Sequence, residues 1–262
     1  MSAAVRLSVF TLPDIQNLTG RDTLGLDRLG ERKQAIFCVI PDSNDNSLNF
    51  LVGLLYTQAF QELYYQADKV HQGPLPVPVR FLFDEFSNVS LPNGYERLQS
   101  TMRSRNIMST IILQNISQLK ALFKDSWEGI IGNADALIYL GGNEKESHKY
   151  ISELLGKQSL TYQTTSASRG RNGSTSTSTQ LMGRELMTPE EVRMLDNRDA
   201  IVLIRGEAPV IDSKYDLMKH PNIKETEDGG AAPYIHSPVC LYDIGDLSFP
   251  VRFLDDIEII DP

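Results

Sequence analysis

The sequence predicts an α/β fold in which a mostly parallel sheet is flanked by helices. Apolar runs of strand length, such as residues 34–40 and 79–83, alternate with segments of helical periodicity, such as residues 48–67. Strands that alternate with helices form right-handed βαβ units, whose parallel strands are buried on both faces. The paired carboxylates Asp84 and Glu85 directly follow the second apolar run. Ligands of open α/β sheets bind beyond the carboxyl ends of the strands, so we expect function at that edge.

The predicted elements follow one another in a regular order. After the strand at residues 34–40, the helix at 48–67 has the wide apolar face of a helix packed on a sheet. Further strands are predicted at residues 108–113, 136–140 and 200–204, and further helices at residues 95–103, 115–123, 125–131 and 144–155. Near the end of this series, Thr188 caps a helix in which Pro189 takes the first position.

Residues 161–182 interrupt the pattern of strands and helices. Serine and threonine dominate the segment, which also contains Arg169 and Arg171. A segment of this composition buries too little apolar area to order itself, so we expect a flexible loop. The two arginines are weak candidates for contacts with DNA phosphates. A solvated surface loop is the alternative, and the composition favours it.

Composition narrows the class of protein. Of the 262 residues, 41% are hydrophobic and 23% are charged, as in ordinary globular proteins. No apolar run approaches the ~18 residues of a membrane span, and residues 1–10 do not have the pattern of a signal peptide. Two cysteines do not make a disulfide framework, and the four histidines are not at ligand spacing. We therefore expect no direct metal site.

The net charge of −9 is concentrated at the C-terminus. Residues 225–262 contain nine acidic residues and one basic residue, which leaves a charge of −1 on residues 1–224. Acidic C-terminal segments are interaction tails or solubilising tails. The rest of the chain could still present a basic surface to DNA.

Asp84 and Glu85 are the leading candidates for chemistry. Two carboxylates at the end of a buried strand are typical of nucleotide-hydrolysing enzymes. There the first carboxylate holds Mg²⁺ through its water shell, and the second orients and deprotonates the attacking water. The alternative is a pair that caps the next helix or is merely solvated. No phosphate-binding motif G-x-x-x-x-G-K-[ST] occurs in the sequence, which therefore contains half of an ATPase site.

Three further residues are candidates for the same site. Gln114 follows the next strand, and adjacent parallel strands would place it beside Asp84 and Glu85. An amide at that point can position water and sense the γ-phosphate, or it can cap the next helix. Arg103 and Arg105 lie between the two strands. They are candidates for an arginine finger directed at a neighbouring subunit, or they complement the negative end of a helix dipole.

Taken together, these segments resemble the C-terminal, Walker B-containing part of the TraG/TraD-type coupling proteins of type IV secretion and conjugation. The resemblance covers most of residues 34–212 and consists of several motifs in the family's order. The motifs are FLFDEF (81–86), TMRSRNI (101–107), IILQN (111–115), QL (118–119), IGNA (131–134), YLGG (139–142), ISELLGK (151–157) and GRELMTPEE (183–191). The last of them is especially typical of coupling proteins on Gram-positive conjugative elements.

The resemblance implies a RecA-like P-loop NTPase core that lacks its Walker A half in this sequence. It implies that Asp84 and Glu85 are the Walker B pair and that Gln114 is the family's glutamine after the third strand. Arg103 matches the family's finger arginine best, and Arg105 is the second choice. The implied cofactors of the full-length protein are ATP and Mg²⁺, and the full-length protein would work as a homo-hexameric ring.

The resemblance also implies a domain organisation. Residues 1–33 would be the remnant of a preceding α-domain with a lead-in, residues 34–212 the C-terminal half of the motor domain, and residues 213–262 the acidic tail. In the family, membrane helices precede this region. The chain would then be a cytoplasmic domain of a protein anchored in the inner or plasma membrane through that missing N-terminal segment.

The function predicted from these features is that of a conjugative coupling protein. Such a protein is an ATP-driven DNA translocase that links the relaxosome to a type IV secretion channel, so DNA, relaxase and relaxosome proteins and the channel are the implied partners. Without a Walker A motif, the chain by itself is expected to be inactive as an ATPase. The alternative is a recognition module that binds relaxase or relaxosome proteins without nucleotide. A chromosome-partitioning or DNA-end-processing pump agrees less well, because that group lacks the motif at 183–191.

Overall fold

A computed structural model of the chain describes residues 8–39, 49–167 and 175–232. The chain divides into two compact units: Leu29–Tyr215 forms one, and Met1–Arg28 with Asp216–Pro262 forms the other. The first unit contains all of the strands in the described residues. The second contains helix α1 (Pro13–Thr19) and the short 3-10 helices Ser8–Thr11, Leu26–Arg28, Leu217–Lys219, Ile223–Glu225 and Glu227–Gly229.

A parallel pair of strands lies at the centre of the larger unit. Strand β1 (Val79–Phe83) pairs with β2 (Ile107–Ile111) in the register Val79↔Ile107 to Phe83↔Ile111. Helix α2 (Asn49–Tyr65) continues into a π-helix, Gln66–Val70, and helix α3 (Tyr95–Met102) lies between the two strands in sequence. The sequence predicted β1 with the correct bounds and β2 to within two residues.

An aromatic core holds this pair of strands against the helices. Alternate side chains of β1 point inward, and Phe81 stacks on Phe60 of α2 with ring centroids 4.3 Å apart. Phe83, Phe86 and Tyr95 are almost fully buried, with ring centroids 5.5 to 5.8 Å apart. Each such buried ring contributes roughly 1.5–3 kcal/mol of transfer free energy, which makes the end of β1 one of the best-anchored points of the unit.

The remaining helices follow β2. They are α4 (Ile116–Phe123), α5 (Trp127–Gly132), α6 (Lys145–Leu155) and α7 (Pro189–Arg193). Helix α7 begins with the predicted cap, because the Thr188 side chain accepts a hydrogen bond from the N–H of Glu191 and the Glu191 side chain accepts one in return. No helix in the described residues is both long enough and apolar enough to span a membrane.

Two antiparallel sheets complete the unit. Strands β3 (Ala136–Tyr139), β6 (Asp199–Ile204) and β7 (Val210–Ser213) form a three-stranded sheet in the order β3-β6-β7. A second core joins it to α6 and α7; its buried members are Tyr139, Ile151, Leu155, Val192 and Ile201. Strands β4 (Lys157–Ala167) and β5 (Thr175–Glu185) form a long hairpin, paired from Lys157↔Glu185 to Ala167↔Thr175.

The prediction of a mostly parallel sheet is wrong in its strand directions. Within the described residues, only β1–β2 is parallel, and β3 pairs with β6 in the antiparallel sense. The outer face of the parallel pair is also open, since Leu82 is 63% exposed. Hydrophobic runs indicate that a strand exists but not which neighbour it pairs with or in which direction.

The strand predicted at residues 34–40 is wrong for residues 34–39, which have no regular secondary structure; residue 40 lies outside the described residues. Phe37 is 89% exposed and Val39 84% exposed. In the described part of the chain, β2 is the one strand that pairs with β1, so this apolar segment has no neighbouring strand in the structure. β-Propensity alone does not create a strand without a partner.

The flexible loop predicted at residues 161–182 is also wrong where the structure describes it. Residues 161–167 and 175–182 belong to the two arms of the β4–β5 hairpin. Threonine is β-branched and favours extended backbone, and the pairing continues along eleven residues of each arm. The low apolar content of the segment correctly indicates exposure but not irregular backbone.

Candidate active site

Asp84 and Glu85 form a tight two-residue turn at the carboxyl end of β1. The N–H of Ile112 donates to the carbonyl of Phe83 at 2.9 Å, and the N–H of Phe86 donates to the carbonyl of Ile112 at 3.0 Å. Phe83 and Phe86 are both buried, so the backbone is fixed on either side of the turn. The two carboxylates are therefore held on the surface, while the residues around them anchor the turn in the core.

Glu85 has an unusual backbone conformation. Its φ of 48° and ψ of 50° lie in the left-handed region, which costs a non-glycine residue roughly 1–2 kcal/mol. The side chain is held by Asn88, whose Nδ2 donates to Oε2 at 3.0 Å, and the N–H of Glu85 donates to Asp84 Oδ1 at 3.0 Å. Strained residues of this kind concentrate at functional sites, where the surrounding structure maintains them.

Neither carboxylate caps the following helix. Glu85 is the residue before the 3-10 helix Phe86–Asn88, but its side chain makes no cap hydrogen bond. The capping alternative for this pair is therefore not supported. The contact between Asn88 and Glu85 was not predicted from the sequence. The spacing of three residues could have indicated it, because residues i and i+3 meet within one turn.

Gln114 lies beyond the end of β2, at the same edge of the sheet as Asp84 and Glu85. Its side chain is exposed, and its Oε1 accepts a long hydrogen bond of 3.4 Å from Gln118 Nε2. The N–H of Gln114 also donates to Gln118 Oε1 at 3.2 Å. The cap of α4 is Asn115, whose Oδ1 accepts from the N–H of Gln118 at 3.0 Å. Gln114 is thus oriented by Gln118 and does not serve as the cap.

The structure places three of the five predicted catalytic residues, Asp84, Glu85 and Gln114, at one edge of the sheet. Phe83 and Ile111 are paired, so the strands that lead to Asp84, Glu85 and Gln114 end at the same level. Two exposed carboxylates and an amide at one edge can bind a hydrated cation, orient a water molecule and accept a proton.

Arg103 and Arg105 lie at the opposite edge. Both belong to the 3-10 helix Arg103–Arg105, immediately before β2 begins. A five-residue strand rises about 3.3 Å per residue, so the two edges are roughly 15 Å apart along the sheet. Neither arginine can therefore serve the Asp84–Glu85 turn of its own chain.

The two arginines have different surroundings. The Arg103 side chain is 83% exposed, and its Nη1 lies 3.5 Å from Asp135 Oδ1. The Arg105 side chain is only 22% exposed and forms two hydrogen bonds of 2.8 Å with the Asp68 carboxylate. Its guanidinium also lies 4.4 Å from the ring centre of Tyr64. The hydrogen bonds from Arg105 lower the pKa of Asp68, so this pair persists at neutral pH. Arg103 is the available arginine of the two.

Arg169 and Arg171 lie outside the described residues, so their predicted contact with DNA is not tested by the structure. In the described part of the chain there is no group of three or more His, Cys, Asp or Glu residues that could hold a metal ion. The exposed Asp84 carboxylate fits a contact with Mg²⁺ through water, in which the other ligands come from nucleotide and solvent.

The fold is that of a RecA-like P-loop NTPase core. The structure of the bacterial conjugative coupling protein TrwBdeltaN70 superimposes with a TM-score of 0.51 at 13% identity, over 64% of this chain and 38% of that chain. A structure of TrwB in complex with ADP and Mg²⁺ superimposes with a TM-score of 0.47 at 14% identity, over 67% of this chain and 40% of that chain. The RecA-like fold class predicted from sequence is confirmed, although most of the described strand pairs are antiparallel and not parallel as predicted.

The chain belongs to the family of type IV secretory system conjugative DNA transfer proteins, whose profile matches residues 1–228. Protein VirD4 of Rhizobium rhizogenes is 25% identical over 211 residues, which are 78% of this chain and 30% of that protein. The conjugal transfer protein TraG of Agrobacterium fabrum is 28% identical over 133 residues, which are 50% of this chain and 20% of that protein. The predicted TraG/TraD-type membership is confirmed, and the Gram-positive subgroup stays a prediction.

Proposed function

We propose that this chain is part of an ATP-driven DNA translocase that couples a relaxosome to a type IV secretion channel. The observation that carries the proposal is the anchored Asp84–Glu85 turn, with Gln114 at the same edge of the sheet. Family membership and fold support it. The chain spans about a third or less of the relatives it matches, so the activity concerns the full-length protein.

The three residues have distinct roles in this proposal. Bound ATP and Mg²⁺ supply the phosphoryl group and the positive charge that stabilises its transfer. Asp84 holds the hydrated cation, Glu85 orients the attacking water and accepts its proton, and Gln114 positions that water. The sequence contains no phosphate-binding loop, so the phosphates must be bound by residues outside it.

Arg103 is the proposed arginine finger. It is exposed and lies at the edge opposite Asp84. Its one ion pair, with Asp135, is long, and Arg205 also lies 3.6 Å from the Asp135 carboxylate. An exposed arginine at that edge can reach the nucleotide of an adjacent copy in a closed ring, which is the reason to propose a homo-hexamer. Arg105 stays the second choice, because its pairing with Asp68 would have to break first.

The β4–β5 hairpin is the proposed DNA-contacting element, and Arg169 and Arg171, which lie between its two strands in sequence, are the proposed phosphate contacts. No acidic residue occurs from Leu154 to Arg184, in a chain whose net charge is −9. A two-stranded ribbon of this kind fits the DNA major groove, and the hydroxyl groups of its arms can donate to phosphates. Replacement of both arginines by glutamine should weaken DNA binding and lower its salt dependence. Unchanged binding in a titration at two salt concentrations would remove them from the interface.

A second function is favoured by the charge distribution. The family profile ends at residue 228, and most of the acidic tail lies beyond it. Under this proposal the tail binds basic surfaces of relaxase or relaxosome proteins without nucleotide, in a protein anchored in the membrane by segments outside this sequence. Deletion of residues 225–262 should abolish capture of purified relaxosome proteins and leave the circular dichroism spectrum unchanged. Equal capture by both forms would refute the role of the tail.

The test of the motor is ATP hydrolysis with and without DNA, in a full-length protein that contains the phosphate-binding half. Glu85→Gln should lower turnover by about 10²–10⁴-fold with nucleotide binding retained, because only the general base is lost. Glu207→Gln, at the exposed turn after β6, is the matched control and should turn over normally. If Glu85→Gln hydrolyses ATP as fast as this control, the assignment of Glu85 is wrong.

A further inference from the structure

The N-termini of helices α4 and α6 meet at a single carboxylate, that of Glu144. Its oxygens accept four hydrogen bonds: from the N–H of Glu146 at 3.1 Å, the N–H of Ser147 at 2.7 Å, Ser147 Oγ at 2.6 Å and Ser117 Oγ at 2.8 Å. Two of these donors cap α6, of which Glu144 is the N-cap residue. The fourth belongs to the first turn of α4.

A relay through Ser147 extends this contact to the backbone of α4. The N–H of Ile116, the first residue of α4, donates to Ser147 Oγ at 3.1 Å. Ser147 is buried, and its hydroxyl hydrogen is directed at Glu144. One otherwise unsatisfied N–H at the start of α4 is thereby connected to the carboxylate that caps α6.

A carboxylate suits this position better than any neutral side chain. All four of its partners are donors, and a glutamine would place an NH₂ group against two of them. The carboxylate also carries negative charge to the positive ends of two helix dipoles. Partial burial would raise the pKa of Glu144, but the hydrogen bonds from Ser147, Ser117 and Glu146 outweigh it and lower that pKa.

The start of α4 fixes Gln114, which precedes Ile116 by two residues. Asn115 caps α4 from between them, and Gln118 of the first turn holds the Gln114 amide. A displacement of this turn relative to α6 therefore displaces Gln114 from the Asp84–Glu85 edge. Helix α6 is itself well anchored, since Ser152 Oγ donates to the carbonyl of Met187 at 2.5 Å and Ile151 is buried in the second core.

We propose that Glu144 is a positioning residue for Gln114, acting through Ser117 and Ser147 on the first turn of α4. The proposal rests on the role of Gln114 in the function proposed above. Glu144 lies on a different element from the site, and no motif in the sequence marks it. Its effect is on the placement of the amide and not on the binding of nucleotide.

The first test compares two substitutions in the full-length protein. Glu144→Gln removes the charge and one of the two acceptor oxygens. Glu146→Gln removes only the exposed ion pair with Lys120, at 3.0 Å between the same two helices. We expect Glu144→Gln to lower kcat for DNA-stimulated ATP hydrolysis at least tenfold with less than a twofold change in KM. Glu146→Gln should change both by less than twofold. Equal effects of the two substitutions would overturn the proposal.

A double-mutant cycle asks whether Glu144 acts through Gln114. In a Gln114→Ala background, Glu144→Gln should lower kcat by less than twofold further, because the amide it positions is gone. If the two substitutions lower kcat by independent factors that multiply, Glu144 has a purely structural role and the proposal is overturned. If Glu144→Gln does not fold, Ser117→Ala is tested instead, because it removes a single hydrogen bond to Glu144. This variant should lower kcat by a smaller factor, and the loss of kcat should disappear in the Gln114→Ala background. A loss that persists there would equally overturn the proposal.

A second readout does not depend on ATP hydrolysis. In the present chain, Glu144→Gln should speed hydrogen exchange of the Ile116 amide at least tenfold and shift the side-chain NH₂ resonances of Gln114, while Glu146→Gln leaves both unchanged. If the full-length protein hydrolyses no ATP but these changes occur, the motor assignment fails and the positioning contact stands. If turnover responds to Glu85→Gln but neither NMR signal responds to Glu144→Gln, the positioning contact fails alone.

Discussion

The two edges of the β1–β2 pair are built in different ways. At the carboxyl edge, backbone hydrogen bonds and buried aromatic rings fix a strained turn, and its carboxylates are left exposed. At the amino edge, backbone hydrogen bonds are supplemented by side chains: the N–H of Leu75 donates to the carbonyl of Arg105, and the Arg105 side chain is held by Asp68, Tyr64 and the carbonyl of Thr101. The proposed function assigns the carboxyl edge to the chain's own nucleotide and the amino edge to that of a neighbouring copy.

The largest effect is expected where the carboxyl edge is anchored in the core. Phe83→Ala would remove a ring that is 1% exposed and contacts Tyr56, Phe86 and Tyr95. We expect a loss of about 3–5 kcal/mol in the free energy of unfolding, because the cavity adds to the lost transfer energy. Chemical denaturation measures it. Leu82→Ala, on the exposed face of the same strand, is the control, and a similar loss there would mean that the core is elsewhere.

The next effect separates the two arginines of the amino edge. Arg105→Met should cost about 1–2 kcal/mol of stability, since it breaks the paired hydrogen bonds to Asp68 and the contact with Tyr64. Arg103→Met should cost less than about 0.5 kcal/mol but lower turnover of the full-length protein at least tenfold. Thermal denaturation and ATPase assays on both variants give the comparison. The reverse pattern would make Arg105 the finger.

A smaller effect is expected from the backbone of Glu85. Glu85→Gly would relieve the left-handed strain, and the gain of about 1–2 kcal/mol is partly offset by the greater freedom of glycine in the unfolded chain. We expect a net stabilisation of about 0.5–1 kcal/mol together with loss of turnover. Glu85→Ala, which keeps the strain, is the reference. A glycine variant less stable than the alanine variant would contradict the strain argument.

The smallest effect concerns pH. Because the pKa of Glu144 lies below its ordinary value of 4.5 in the folded chain, its contribution is complete above that pH and disappears as the pH falls through the folded value. The difference in unfolding free energy between the unmodified chain and Glu144→Gln should therefore shrink as the pH falls from neutral to values below 4.5. The charge of Glu144 raises the pKa of nearby Glu146, so both proteins are compared in a Glu146→Gln background. A constant difference would mean that Glu144 keeps its ordinary pKa.

The sequence indicated the positions of the candidate site residues better than the sheet around them. Asp84 and Glu85 could be found because a hydrophobic run ends abruptly in charge, and Gln114 because it occupies the same place after the next strand. The exposure of residues 34–39 could not be predicted, because a strand depends on a neighbour and the sequence does not say which one is present. Composition did not predict the β4–β5 hairpin, because a low apolar content indicates exposure and does not exclude the extended, paired backbone that threonine favours.

Not all of the contacts that orient the candidate site residues could be predicted from the sequence. Glutamate is not a preferred N-cap residue, so nothing local marks Glu144, and its contact with Ser117 spans 27 positions in sequence. Asn88 and Gln118 are different, because both lie one helical turn from a predicted site residue and could have been proposed from spacing alone.

The β4–β5 hairpin has a mechanical consequence. Arms of eleven residues extend about 35 Å from the end at which Lys157 pairs with Glu185. Helix α6 leads into β4 through the single residue Gly156, so a tilt of that helix is passed directly to the base of the ribbon. A tilt of about 5° there moves the far ends of the arms by roughly 3 Å, close to the ~3.4 Å between successive bases of a DNA strand. Because the arms are long, a small tilt of α6 would be amplified into a displacement of a few ångströms at their far ends.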